Sequence, residues 1–191
     1  MVAIRGKIEG MKACVCIITI FLSASVWAQG EEQEGTVERL TITSSDFRNN
    51  QPIPAKNSLD GGDVSPALKW EGAPAGTKSF ALICDDPDAP GGTWIHWVIY
   101  GIPGNSSGLP ENVKKSETVS GAKQGVNSYG TIGYGGPQAP RGHGLHHYYF
   151  RLYALDAELN LASRVTRQQL DAAMKGHIIA EAELVGTYQR D

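Results

Sequence analysis

The sequence predicts a mostly β domain with few short helices, and three observations carry that expectation. The apolar runs "TKSFALICD" and "WIHWVIYGI" (residues 77–85 and 94–102) have strand length and are rich in aromatic and β-branched residues. A third run, "LHHYYFRLYAL" (145–155), alternates with period two. Helix-start chemistry is found once, late in the chain.

With 191 residues, 41% of them hydrophobic, the chain suits one domain whose core is large enough to fold unaided. The formal charge of −3 argues against a nucleic-acid partner held by phosphate neutralisation. The first thirty residues differ in kind. "ACVCIITIFLSASV" (13–26) follows Met11-Lys12, has the length of a signal-peptide core, and leads to Val26-Trp27-Ala28, whose last residue suits a cleavage site. The run is short for a membrane span, and Gln29 to Glu32 lacks a basic stop-transfer flank. Residues 1–28 are therefore read as a cleaved export signal, with Met1 and Met11 both acceptable as starts. Residues 29–36 are read as a flexible polar segment and 37–191 as the domain, placed in the periplasm or outside the cell. Cleavage removes Cys14 and Cys16, which sit too early in the run for a lipid-anchored cysteine. Cys84 is left alone, without a disulfide, as a buried strand residue.

In order along the domain, "TVERLTITSSDF" (36–47) alternates weakly as a first strand, and the Asn/Pro/Gly/Asp-rich stretch 44–66 is loop. "PALKWEGAP" and "TKSFALICD" are strands separated by Ala73-Pro74-Ala75-Gly76. In 94–102, Trp94, His96, Val98 and Tyr100 alternate with Ile95, Trp97 and Ile99. Both sets are largely apolar, so the strand should be covered on both faces. Residues 103–144 are loop-rich. In the next strand His146, Tyr148, Phe150 and Leu152 share one face, and His147, Tyr149, Arg151 and Tyr153 the other. Thr166 with Gln169 is a capping-box pattern opening a helix over 167–175 that Gly176 stops. "IIAEAELVGTY" (178–188) is an edge-capable strand.

Chemistry gathers at two loop–strand junctions. Asp85, Asp86 and Asp88 fall where a strand meets a turn stiffened by Pro87 and Pro90. Taken alone this is an ordinary strand-capping turn, and His96 alone is an ordinary core histidine. The second junction adds His146 and Tyr148, two apart and on one side. If the strands are neighbours, two imidazoles, a phenol and a fixed carboxylate make a small-molecule site with donors suited to a phosphate or carboxylate. His96 and His146 would then change charge between about pH 5 and 8. His147 is read as surface, His177 as structural beside the helix end, and His143 as either site or loop. Nothing at the junctions supplies an activated nucleophile.

"DDPDAPGGTWIHW" (85–97) and "YGGPQAPRGHGLHHYYF" (134–150) resemble the two signature segments of the phosphatidylethanolamine-binding protein family, in its bacterial Raf-kinase-inhibitor-like branch. "SPALKWEGAPAGTKSFAL" and "AELVGTYQR" fit as well, so the likeness spans roughly 37–190. It implies a β-sandwich of two antiparallel sheets and a pocket for phosphate-like anions built from Asp86, His96, His146 and Tyr148. Asp88 becomes a supporting turn residue and Trp94 a wall. Gln138 stands where relatives often have Gly or Cys, and Ala139 where Pro is common, which bears on ligand size. The resemblance implies no metal and no cofactor, a non-enzymatic binding role for a small anionic ligand, and homodimers. Two alternatives are carried with it. One is a metal-dependent hydrolase using His96, His143, His146, Asp86 and Asp88 as donors. The other is an inhibitor of a protease or kinase, of which an exported chain would meet the protease.

Overall fold

The computed structural model describes Val2 and residues 39–190. The chain divides into two units, Met1–Gly35 and Thr36–Asp191, and the fold is that of the second. The expected signal segment and the flexible segment 29–36 lie outside the described residues.

The strands are β1 (Thr41–Ser44), β2 (Gln51–Pro52), β3 (Leu68–Glu71), β4 (Ser79–Asp86), β5 (Trp94–Pro103), β6 (Gly108–Leu109), β7 (Thr118–Val119), β8 (Ala122–Gln124), β9 (His146–Leu155) and β10 (Ile178–Tyr188). A helix, α1 (Arg167–Met174), precedes β10. They form a three-stranded sheet, β1-β3-β6, and a seven-stranded sheet, β2-β10-β9-β4-β5-β8-β7. The expected mostly β sandwich is what the residues build, with departures in detail. β2 joins β10 in parallel, at Gly186 and Thr187, within a segment read from sequence as loop. Pro52 suits that place, because an edge strand can do without its N–H. β10 is otherwise the open edge that its sequence allowed, paired along its inner side with β9.

β4 is buried at every residue and lies at the centre of the larger sheet, between β5 and β9. Its alternation supplies both cores. Phe80, Leu82 and Cys84 face the smaller sheet and pack with Ile42, Leu68, Trp70, Phe150 and Leu152. Ala81 and Ile83 face the other way and pack with Leu170 and Met174 of α1. Each such side chain taken wholly out of water contributes about 1.5–3 kcal/mol. The helix that covers this face starts as its sequence predicts: Thr166 Oγ1 accepts from the Gln169 N–H at 3.3 Å, and Gln169 Oε1 accepts from the Thr166 N–H at 2.8 Å.

β5 is covered on both faces as expected, but its facing departs from strict alternation. Cys84 pairs with Trp97 and Asp85 with Ile95, so His96 is the extra residue of a β-bulge. His96 and Trp97 therefore both turn towards the inter-sheet core, while Val98 and Tyr100 move to the α1 face. A second shift at Gly101, whose φ is +65°, returns Ile102 to the inter-sheet side. The long stretch 103–144 also differs from its reading as loop, since it contains β6, β7 and β8. Strands of two or three residues are too short to leave a period in the sequence.

Candidate functional site

The strands of the two histidines do not pair with each other. β4 runs between them, and Asp86, its last residue, lies between His96 on β5 and His146 on β9. The bulge matters here, because it turns His96 to the side that Asp86 and Tyr148 share. At this end of the sandwich the three strands wall a cavity of about 290 Å³, lined by Asp86, Trp94, His96, His146 and Tyr148, with Tyr129, Gln138, Ala139 and Pro140 from a later loop and Ala89, Pro90 and Gly91 from the Asp/Pro turn.

Each polar group has a defined role. Asp86 is buried; its Oδ2 accepts from His146 Nδ1 at 2.7 Å, and its Oδ1 accepts from the Asp88 N–H at 2.9 Å. His146 is also buried, and its Nε2 lies 2.8 Å from Nδ1 of His143. Asp86, His146 and His143 thus form a hydrogen-bonded chain from the strand end to the loop. His96 Nδ1 lies 2.6 Å from the Gly135 carbonyl, so that nitrogen carries the proton and Nε2 keeps its lone pair. Burial lowers the pKa of His96 from its ordinary 6.5. The neutral ring is therefore favoured near pH 7, and the charge change expected from the sequence is displaced towards acid. The Tyr148 hydroxyl is buried without a hydrogen-bond partner. Burial first, then the Asp86 charge, pushes its pKa up, so it stays a neutral donor.

The aromatic side is equally ordered. The His96 ring meets Tyr148 edge-on at 5.0 Å and Tyr129 at 5.8 Å, and Trp94 meets Tyr129 at 5.3 Å. Tyr129 was not singled out in the sequence. It sits in a Gly-rich loop with no periodicity to mark it, and burial pushes its pKa up to about 12. The loop is pinned from both sides: the Gly135 N–H donates to the His96 carbonyl at 2.8 Å, and the Gly136 N–H donates to Asp63 Oδ1 at 2.7 Å. A Cβ on Gly136 would lie 2.4 Å from the Asn57 carbonyl oxygen, so only glycine allows this approach.

Of the seven residues expected at the site, Asp86, Trp94, His96, Gln138, His146 and Tyr148 line the cavity and Asp88 does not. Asp88 Oδ2 accepts instead from the His147 N–H at 2.9 Å and from His147 Nδ1 at 2.8 Å, on the outer side of the turn. Its backbone N–H still supports Asp86, in keeping with a supporting turn residue. Gln138 Nε2 reaches Asp60 Oδ1 only at 3.4 Å, at the rim. His143, left open between site and loop, joins the site through His146 without lining the cavity. His177 is structural: its ring bonds Asp156 at 2.8 Å and its N–H bonds the Met174 carbonyl at 2.9 Å.

A larger cavity, about 540 Å³, lies at the other end of β4, and several of its polar side chains are spent on the fold. Ser79 Oγ donates to the Ala157 carbonyl and Lys123 Nζ to the Leu161 carbonyl. Chemistry rather than size therefore picks out the smaller cavity. Among the described residues no three His, Cys, Asp or Glu side chains converge as a metal cage.

Comparison with known proteins agrees with this architecture. The phosphatidylethanolamine-binding protein family profile matches residues 43–189. A UPF0098 protein of Aquifex aeolicus is 48% identical over 153 residues, covering 80% of this chain and 90% of that one. The crystal structure of E. coli YbcL, described as a new member of the mammalian PEBP family, superposes with a TM-score of 0.75 at 32% identity, covering 80% of this chain and 99% of that one. A Mycobacterium tuberculosis relative with the provisional name lipoprotein LppC is 41% identical over 153 residues, covering 80% of this chain and 73% of its own. The chain belongs to the phosphatidylethanolamine-binding protein family.

Proposed function

We propose that this protein is an exported, non-enzymatic binding protein whose pocket takes a small phosphate-like anion, such as phosphate itself or a phosphorylated head group. The observation that carries the reading is the Tyr148 hydroxyl, buried on the cavity wall with no partner. A buried donor left unmade costs free energy, and a ligand oxygen would satisfy it. Around it stand an imidazole with a bare Nε2 and a second imidazole backed by a carboxylate, which can accept a proton from the ligand or carry charge towards it. The expected homodimer and protease partner are proposed on the family likeness alone.

Calorimetric titration with phosphate and with O-phosphorylethanolamine is expected to show binding that weakens as pH rises from about 5 to 8, as imidazolium is lost. Tyr148→Phe should lower affinity while leaving the unliganded protein as stable or up to about 1 kcal/mol more stable, because an unsatisfied hydroxyl is removed. Loss of stability with unchanged affinity would sink the reading. Export is tested by N-terminal sequencing of the extracytoplasmic form. The expected start is at or near Gln29, and a full-length form held in membranes is the contrary outcome.

A further inference from the structure

We propose that His143 is a proton-released latch on the pocket: it occupies the free ring nitrogen of His146 and lets go when both imidazoles are protonated. The reading begins with Asp86. Because its carboxylate accepts at 2.7 Å from His146 Nδ1, that nitrogen must hold a proton, which leaves Nε2 of neutral His146 as an acceptor. His143 fills that acceptor with its own Nδ1–H at 2.8 Å, the two rings standing at 64°. In the held state His146 therefore has no free nitrogen to offer a ligand.

The bond depends on protonation in one direction only. With both rings neutral, one donates and the other accepts. With one proton added, an N–H of the imidazolium still meets a lone pair. With two protons added, both facing nitrogens are donors and both rings carry charge, so the bond is lost and the rings repel. Among the groups around the pair, Asp86 on β4 is hydrogen-bonded to His146 at 2.7 Å. His96 on β5, Tyr148 on β9 and Tyr129 from the loop have burial-shifted pKa values that keep them neutral near pH 7. Asp88 is engaged by His147 on the outer side, Arg190 Nη1 reaches the Ala139 carbonyl at 3.5 Å, and Arg141 belongs to the same loop as His143.

The loop is built to let go. His143 is exposed although the His146 it caps is buried, and it lies between Gly142 and Gly144, with φ of +73° and +93°. No atom lies within 4 Å of where a Cβ would sit on either glycine, and the backbone is held there by the Gly142 N–H to the Arg190 carbonyl at 3.4 Å and the His143 N–H to the Pro140 carbonyl at 3.1 Å. Released, the His146 ring presents to the cavity an N–H that the held pair withholds. This consequence rests on the anion-binding reading; the latch itself does not.

Two measurements on the full chain separate them. In ¹⁵N-histidine NMR of the unliganded protein, a coupling across the His143 Nδ1–His146 Nε2 bond is expected at pH 8. It should vanish at acid pH in step with shifts of the amides of 140–145. Both rings becoming imidazolium with those amides unmoved would overturn the latch. In phosphate titrations, His143→Ala should bind on the order of three- to tenfold more tightly than wild type at pH 7.5, the range set by one neutral hydrogen bond, and no more tightly at pH 5.5. Weaker binding by the variant at both pH values makes His143 a ligand contact and also overturns the latch. If neither protein binds phosphate at any pH, the anion-binding reading falls and the NMR result alone judges the latch.

Discussion

Asp85 and Asp86 are neighbours at the end of β4, each 3% exposed, and they differ in what answers their charge. Asp85 faces α1. Its Oδ2 accepts from Arg167 Nη1 at 2.6 Å and from Arg151 Nε at 3.3 Å, and the two guanidiniums go on to Asp171 and Glu183. Asp86 faces the cavity and is answered by an imidazole and one backbone N–H. Arginine keeps its charge throughout the working pH range, so the Asp85 cluster is a fixed brace between helix and sheet. Histidine is not a permanent cation, so Asp86 has no such fixed counter-charge. Two equally buried carboxylates thus differ in the chemistry of their partners, guanidinium for one and imidazole for the other.

The largest expected effect breaks the brace. Asp85→Ala leaves two partly buried guanidiniums without their shared acceptor and is expected to cost about 2–3 kcal/mol, the scale of a hydrogen bond to a charged group. The check is the urea unfolding midpoint at constant m. Phosphate affinity should be unchanged. If affinity falls and stability does not, the roles of the two acids are reversed.

The next effect tests the other carboxylate's partner. His146→Ala should weaken phosphate binding about tenfold or more at pH 5.5, where a charge-assisted hydrogen bond is lost, and should flatten the pH profile. His147→Ala should do little to affinity, because that ring is spent on Asp88 outside the cavity. Calorimetry on both variants decides. Loss in the His147 variant with retention in the His146 variant would move the anion away from this cavity.

Sequence alternation grouped His146 with Tyr148, since the period of two holds without interruption along β9, but it left Asp85 and Asp86 together at the strand end without telling their faces apart. It did not yield the facing of β5. The bulge at His96 is fixed by pairing with Cys84 and Asp85 on another strand, and one strand's own pattern cannot show an extra residue. The arginines of Asp85 lie 66 and 82 residues away in sequence, and the Gly135 carbonyl that orients His96 lies 39 away. Tyr129 and β6 to β8 sit in stretches whose conformation comes from tertiary contacts rather than from periodicity. The family signatures covered part of this gap for Asp86, His96, His146 and Tyr148.

The smallest expected effect concerns His96, a buried titratable group with no ionic partner. Burial lowers its pKa below the ordinary 6.5, against a partial offset from the Gly135 carbonyl and the Asp86 charge. As pH falls through about 6.5, the unfolded chain takes up a proton that the folded chain refuses, so stability declines until the folded pKa is passed. Above the unfolded pKa the contribution is zero. His96→Gln cannot titrate and can still present an N–H towards Gly135, so its stability should fall less than that of wild type between pH 7 and 5. The Asp88–His147 pair acts in a separate window. The His147 hydrogen bond holds the Asp88 carboxyl below its ordinary 3.8, giving stability above that value that is lost only as pH falls through the lowered pKa. Measurements that stop at pH 5 leave it out. An unchanged slope in His96→Gln would mean that His96 takes up its proton equally in the folded and the unfolded chain, so that burial does not hold the ring neutral and the acid sensitivity belongs to other groups.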